Sequence, residues 1–167
     1  MVTLLGVIVS VVQAETIQAT LTGYEETPAG VSTVASGEFR AMINRDDESI
    51  DYELTYSDLQ GAVRQAHIHV GQLSVTGSIV IWFCGTTTNP GPAGTQTCPQ
   101  FGTITGHITA ANVIAGSIAT QQLAAGELAE VIRAIRAGAA YVNVHTDLSP
   151  GGEIRGQIRA SRRPARP

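Results

Sequence analysis

A chain of 167 residues is of single-domain size and long enough to bury a core of its own. Its formal charge of −4 excludes bulk electrostatic attraction to nucleic acid or to an anionic membrane. Only 14% of residues are charged and 5% aromatic, while Gly, Thr and Val are abundant, which suits a β-rich fold with many turns.

Residues Met1 to Ala14 carry no charge. The apolar run Val2–Val12 has the length of a secretory h-region, and Val12-Gln13-Ala14 is an acceptable cleavage site, although a basic n-region is missing. The stretch is too short to span a bilayer as a helix, so no stable membrane insertion is expected once it is removed. A signal peptide over 1–14 and a secreted or periplasmic location are the expectation; the alternative is an N-terminal buried strand.

Glu15–Thr22 alternates, with Ile17, Ala19 and Leu21 on one face, as a half-buried strand does. A loop over Gly23–Ser32 leads to a second strand, Ala35–Ile43. Asn44–Ser49 reads as a polar turn, because its three adjacent acids lack the ligand spacing of a calcium loop. Ile50–Tyr56 alternates again. In Val63–Gly71, Ile68 and Val70 share one face and His67 and His69 the other. Ser78–Phe83 is a continuous apolar run, typical of a strand covered on both sides.

Cys84 and Cys98 bracket a loop rich in Gly, Pro and Thr. In an exported chain the pair reads as a disulfide; the alternative is two unrelated thiols. Phe101–Ile108 gives a further strand, with His107 alone on a Thr-rich face and taken as structural. From Glu127 to Ala137, Leu128, Val131, Ile132 and Ile135 recur at helical spacing. Acids lie near the start, arginines near the end, and Gly138 follows as a stop.

The closing segment Ala140–Ile158 reads as a hairpin, turned by Ser149-Pro150-Gly151-Gly152, with Gly151 expected to take the positive φ. Tyr141, Asn143 and His145 share one face, and Glu153, Arg155 and Gln157 alternate with Ile154, Gly156 and Ile158. Residues 161–167 are Arg/Pro-rich and expected to be a disordered tail. About eight short strands and one helix predict an antiparallel Greek-key β-sandwich filling 15–160.

The chemistry is concentrated in His67-Ile68-His69. Histidines two apart on a strand project from one face with Cβ atoms about 7 Å apart, close enough for both rings to reach one ion. If the strand bearing His145 is a neighbour, three imidazoles converge, a donor set that suits copper or zinc. Otherwise the three rings hydrogen-bond to groups beneath the loops. Asn143, Asp147 and Glu153 are candidates to orient the imidazoles from behind. Catalytic signatures are weak: the cysteines are expected to be paired, and neither a nucleophile elbow nor a phosphate loop is present.

Ala66-His-Ile-His-Val-Gly71, Gly77–Cys84, Arg136-Ala-Gly138, Tyr141–Thr146 and Pro150–Ile158 together resemble the CHRD domain, named for chordin and found in stand-alone form in exported bacterial proteins. The resemblance covers about Thr16 to Arg159 and implies an extracytoplasmic β-sandwich module. The cysteine-rich growth-factor-binding modules of chordin have no counterpart in this sequence. A more distant likeness is to copper–zinc superoxide dismutases, whose copper ligands would match His67, His69 and His145. The bridging histidine and the zinc cluster of those enzymes have no match here, and Glu153 falls where they carry a substrate-guiding arginine. The functions in view are therefore a non-enzymatic exported module that binds copper or another divalent ion, a copper-only dismutase-like redox enzyme, and a structural or adhesive module with a protein or cell-surface partner.

Overall fold

The computed structural model describes residues 14–161. Nearly all of the expected leader, and the tail beyond Ser161, lie outside them. Within them the fold is all-β with one short helix, as the alternation predicts. Five strands come first: β1 Glu15–Thr22, β2 Ser36–Ile43, β3 Ser49–Ser57, β4 Val63–Val70 and β5 Ser78–Gly85. The two-residue β6 Gln96–Thr97 and β7 Gly102–Thr109 follow, then the helix α1 Leu128–Arg136. The chain closes with β8 Ala140–Thr146, β9 Ile154–Gln157 and the short β10 Arg159–Ala160.

The strands form one continuous sheet in the order β6-β5-β4-β8-β9-β1-β2-β3-β7, with β10 also paired to β1. Its neighbours are antiparallel except β5 and β6, which run parallel. The sheet curls until its two halves face each other. Phe83 of β5 meets Phe39 of β2 and Tyr52 of β3, with ring centroids 5.4 and 4.6 Å apart. Ile17, Leu21, Ile43, Ile50, Leu54, Ile68, Val142 and Val144 fill the space between and are fully buried. At roughly 25 cal/mol per Å² of apolar surface, this shared interior supplies the main force that keeps the sheet folded over.

The helix buries Leu128, Val131, Ile132 and Ile135 against that core, the residues its spacing picks out. Gly138 follows it at φ +69°, the left-handed conformation that terminates helices. Arg136 in its last turn donates to Glu15 (2.7 Å) and with both Nη atoms to Asp47 (2.6 and 2.8 Å). The acid-rich turn Asn44–Ser49 thus serves as an anchor for the helix end.

Cys84 and Cys98 form a disulfide. Inside the Gly/Pro/Thr-rich loop they enclose, β6 pairs with β5, and Cys98 N–H donates to the Gly85 carbonyl at 2.8 Å. The closing turn also departs from expectation, since Gly152 rather than Gly151 has the positive φ, at +133°. A Cβ on Gly152 would lie about 2.4 Å from Asn143 Nδ2 and 2.5 Å from Glu26 Oε1. The glycine is required by that close approach as well as by its dihedral.

The bridge closes a loop between residues 14 apart. Replacing both cysteines by serine is expected to lower the unfolding free energy by about 3 kcal/mol, read from guanidinium denaturation. A loss under about 0.5 kcal/mol would mean that the loop's own hydrogen bonds already confine it.

Candidate metal centre

The face of β4, β8 and β9 turned away from the core is covered by loops and is rich in polar residues. Strand alternation places His67 and His69 of β4, Tyr141, Asn143 and His145 of β8, and Arg155 and Gln157 of β9 on it, all buried. The apolar residues between them, Ala66, Ile68, Val142, Val144, Ile154 and Ile158, face the core. Register then decides which side chains meet. His67 lies opposite Asn143, Gln65 opposite His145, and His69 opposite Tyr141. His145 is thereby one diagonal step from His67, within reach of a ring.

On the other side of β4 the pairing with β5 shifts register twice, between Ala66 and His67 and between Ile68 and His69. Bulges of this kind re-aim side chains locally. Trp82 of β5 meets His67 edge-on, with centroids 4.3 Å apart.

The three rings converge. Their centroids are 5.0 Å (His67–His145), 5.4 Å (His67–His69) and 6.0 Å (His69–His145) apart. One nitrogen from each ring lies within 4.8 Å of those of the other two. His69 Nδ1 is 3.1 Å from the Gly77 carbonyl oxygen, and His145 Nδ1 is 3.0 Å from that of Pro150. A carbonyl only accepts, so both Nδ1 atoms carry the proton and both Nε2 atoms present a lone pair. Those two Nε2 atoms and both nitrogens of His67 are buried without a hydrogen-bond partner. Among the described residues the only other such side-chain atom is Gln157 Oε1, so the unsatisfied polarity of the interior is gathered at one point.

Each orphaned group of this kind costs about 1–3 kcal/mol, and one ion taking a nitrogen from each ring would remove that cost at three of the four. All three imidazoles are neutral at physiological pH, the state a ligand needs. Burial pushes His67 down to about 2, helped by the fields of His145 and His69. Burial likewise takes His69 down to about 4 against the opposing Gly77 carbonyl, and lowers His145 against that of Pro150.

The three supporting residues expected behind the rings bond elsewhere. Asn143 Nδ2 donates to Glu26 Oε1 (2.5 Å) and to the Ile154 carbonyl (3.0 Å). Asp147 accepts from Ala62 N–H at 2.7 Å. Burial alone would raise the Glu153 carboxyl, but donors from Gln60, Thr146, Thr33 and Gly61 hold it below the usual range. Two of the imidazoles, His69 and His145, are oriented by loop carbonyls instead, and carbonyl acceptors leave no mark in a sequence. His107, taken as structural, pairs with Asp51 on the exposed face of β7 (2.7 Å).

Alternation puts Tyr141 and Arg155 on this face without marking them as part of the site, and Glu26 and Trp82 are neighbours that it does not identify. Tyr141 stacks on His69 at 4.6 Å and an interplanar angle of 8°. The Arg155 guanidinium lies 3.5 Å from the centre of the Tyr141 ring. It donates to Thr27 Oγ1 (2.9 Å) and to the Gln72 and Val75 carbonyls (both 3.1 Å), clamping two loops over the site. Burial lifts the Glu26 carboxyl to about 7, against its bond from Asn143 and the charge of Arg155.

The CHRD domain family model matches residues 17–158, a span that contains the disulfide, the three histidines and all that covers them. The chain belongs to the CHRD family. No curated protein and no solved structure matches it. The geometry of this CHRD domain therefore carries the functional reading.

The pKa directions fix a pH dependence. The histidines, depressed in the folded state, add stability that is full above about pH 6.5 and is lost as pH falls toward 4. Glu26, raised in the folded state, acts oppositely, and its contribution declines as pH rises from about 4.5 to 7. Metal-free protein is thus expected to lose stability between pH 6.5 and 4.5, and Glu26→Gln to lose it more steeply. Urea unfolding across that range measures both slopes, and a slope unchanged in the variant would contradict the role of Glu26.

Proposed function

We propose that this CHRD domain is an exported, non-enzymatic module that holds one metal ion between His67, His69 and His145. The observation that carries this reading is the set of four buried ring nitrogens with no partner, clustered on three neutral imidazoles. A hydrogen-bond network would have paired them. Two of the rings are already held by Nδ1–H donation to backbone carbonyls, the usual way a ligand histidine is fixed with its other nitrogen free. Export is supported by the disulfide and by the leader-like sequence of residues 1–14.

The dismutase-like alternative requires a coordination position that substrate can reach. Here the unpaired nitrogens are all buried, beneath the loops that carry Gly77 and Pro150. That arrangement favours retention of an ion over turnover at it.

Metal analysis of the purified, refolded domain after equilibration and desalting tests the proposal. One equivalent of copper or zinc is expected per chain, with a rise in melting temperature on loading. His69→Ala and His145→Ala are each expected to weaken binding by more than the roughly 10–100-fold that loss of an outer-shell partner costs. Stoichiometric metal retained by both variants would show that these rings are not the ligands.

A further inference from the structure

Resting on that reading, we propose that the ion this site is built to hold is monovalent copper, Cu(I), in preference to zinc or Cu(II). The first argument is charge. Among the described residues the His/Cys/Asp/Glu cluster able to ligate an ion contains His67, His69 and His145 and no anion. The neighbouring acids are engaged elsewhere: Glu26 with Asn143, Glu153 with the loop around Gly61, and Asp147 with Ala62.

The charges that do act on the rings are positive. Arg155 reaches His69 through the Tyr141 stack, and Arg64, on β4 itself, opposes positive charge at His145. A divalent ion would place two uncompensated charges in this interior. Because solvation energy scales with the square of charge, its desolvation penalty is about four times that of a monovalent ion.

The second argument is coordination number. Zinc on three histidines takes a fourth ligand, usually water or an anion, and Cu(II) favours a tetragonal set. The unpaired nitrogens of this site are shut off from solvent, and the loops over it offer their carbonyls to Nδ1–H groups. Cu(I) has a filled d shell and a single charge, and is satisfied by three donors in a plane. Three rings bound through nitrogen at about 2.0 Å to one such ion would have centroids about 5.5 Å apart. The separations of 5.0, 5.4 and 6.0 Å fit three rings on one ion, in a planar or a tetrahedral set alike, so the preference rests on the sealed surroundings rather than on the spacing.

The full chain, stripped of metal, would be titrated anaerobically with Cu(I) buffered by bathocuproine disulfonate. Ascorbate serves as reductant because it leaves the disulfide intact. Parallel titrations would use buffered Zn(II) and Cu(II). Expected is one Cu(I) per chain with a three-coordinate X-ray absorption edge, held at least ~100-fold more tightly than Zn(II). That binding should vanish in His69→Ala and His145→Ala variants whose circular dichroism is unchanged. Arg64→Glu, at a half-buried position, should narrow the gap between Cu(I) and Zn(II) severalfold.

Zn(II) or Cu(II) held at one equivalent as tightly as Cu(I) would overturn this inference and leave the metal-binding reading standing. An unchanged gap in Arg64→Glu would overturn its charge argument. Failure of the parent chain to hold any of the three ions would overturn both readings together.

Discussion

Covering the polar face of β4, β8 and β9 with loops is the constraint from which the rest of this structure follows. Once water is excluded from that face, every polar side chain on it needs a partner or incurs a desolvation cost. Gln157 donates to the Gly71 and Gly138 carbonyls, Asn143 to Glu26 and Ile154, and Arg155 to three loop groups. The histidine cluster is where this pairing stops. A face that pairs its guanidinium and every amide NH2 group, but leaves four imidazole nitrogens bare, has room in its hydrogen-bonding scheme for an ion.

Arg155 links that scheme to the architecture. It is fully buried, sits over Tyr141, and holds Thr27 and the Gln72–Val75 segment. The same Tyr141 stacks on His69, and its hydroxyl accepts from Gly77 N–H at 3.2 Å, next to the carbonyl that fixes His69. One guanidinium thus supports both the lid over the site and the orientation of one of its rings. The neighbouring carboxyl of Glu26, lifted to about 7, shares that interior with Arg155, so much of the balancing charge is absent near neutrality. The electrostatic character of the site, neutral donors under a positive field, is set by this arrangement as much as by the histidines.

The two faces of the central strands divide the labour. The inward residues close the sheet on itself through Phe39, Tyr52 and Phe83, and they fix the register of β4 against β8 because a one-residue slip would carry valines to the polar side. The outward residues inherit that register. The distance between His67 and His145 is therefore a consequence of apolar packing on the opposite side of the same strands.

The sequence by itself determined what is local. Period-two alternation identified seven of the ten described strands, their inward residues and the shared face of His67 and His69, because neighbouring side chains of a strand alternate whatever lies beside it. A continuous apolar run marked β5, and the two-residue β6 and β10 were too short to show either pattern. Helical spacing located α1 to within a residue of each end, and the two cysteines were rightly read as a pair. Tertiary structure alone decided that β8 lies beside β4 in the register that brings in His145, since which strands pair depends on contacts far apart in the chain. It also assigned the Nδ1 partners to Gly77 and Pro150, moved the positive φ to Gly152, and sent Asn143, Asp147 and Glu153 to tasks away from the rings. Backbone acceptors and loop placement have no residue code, so these features exist only once the chain has closed over them.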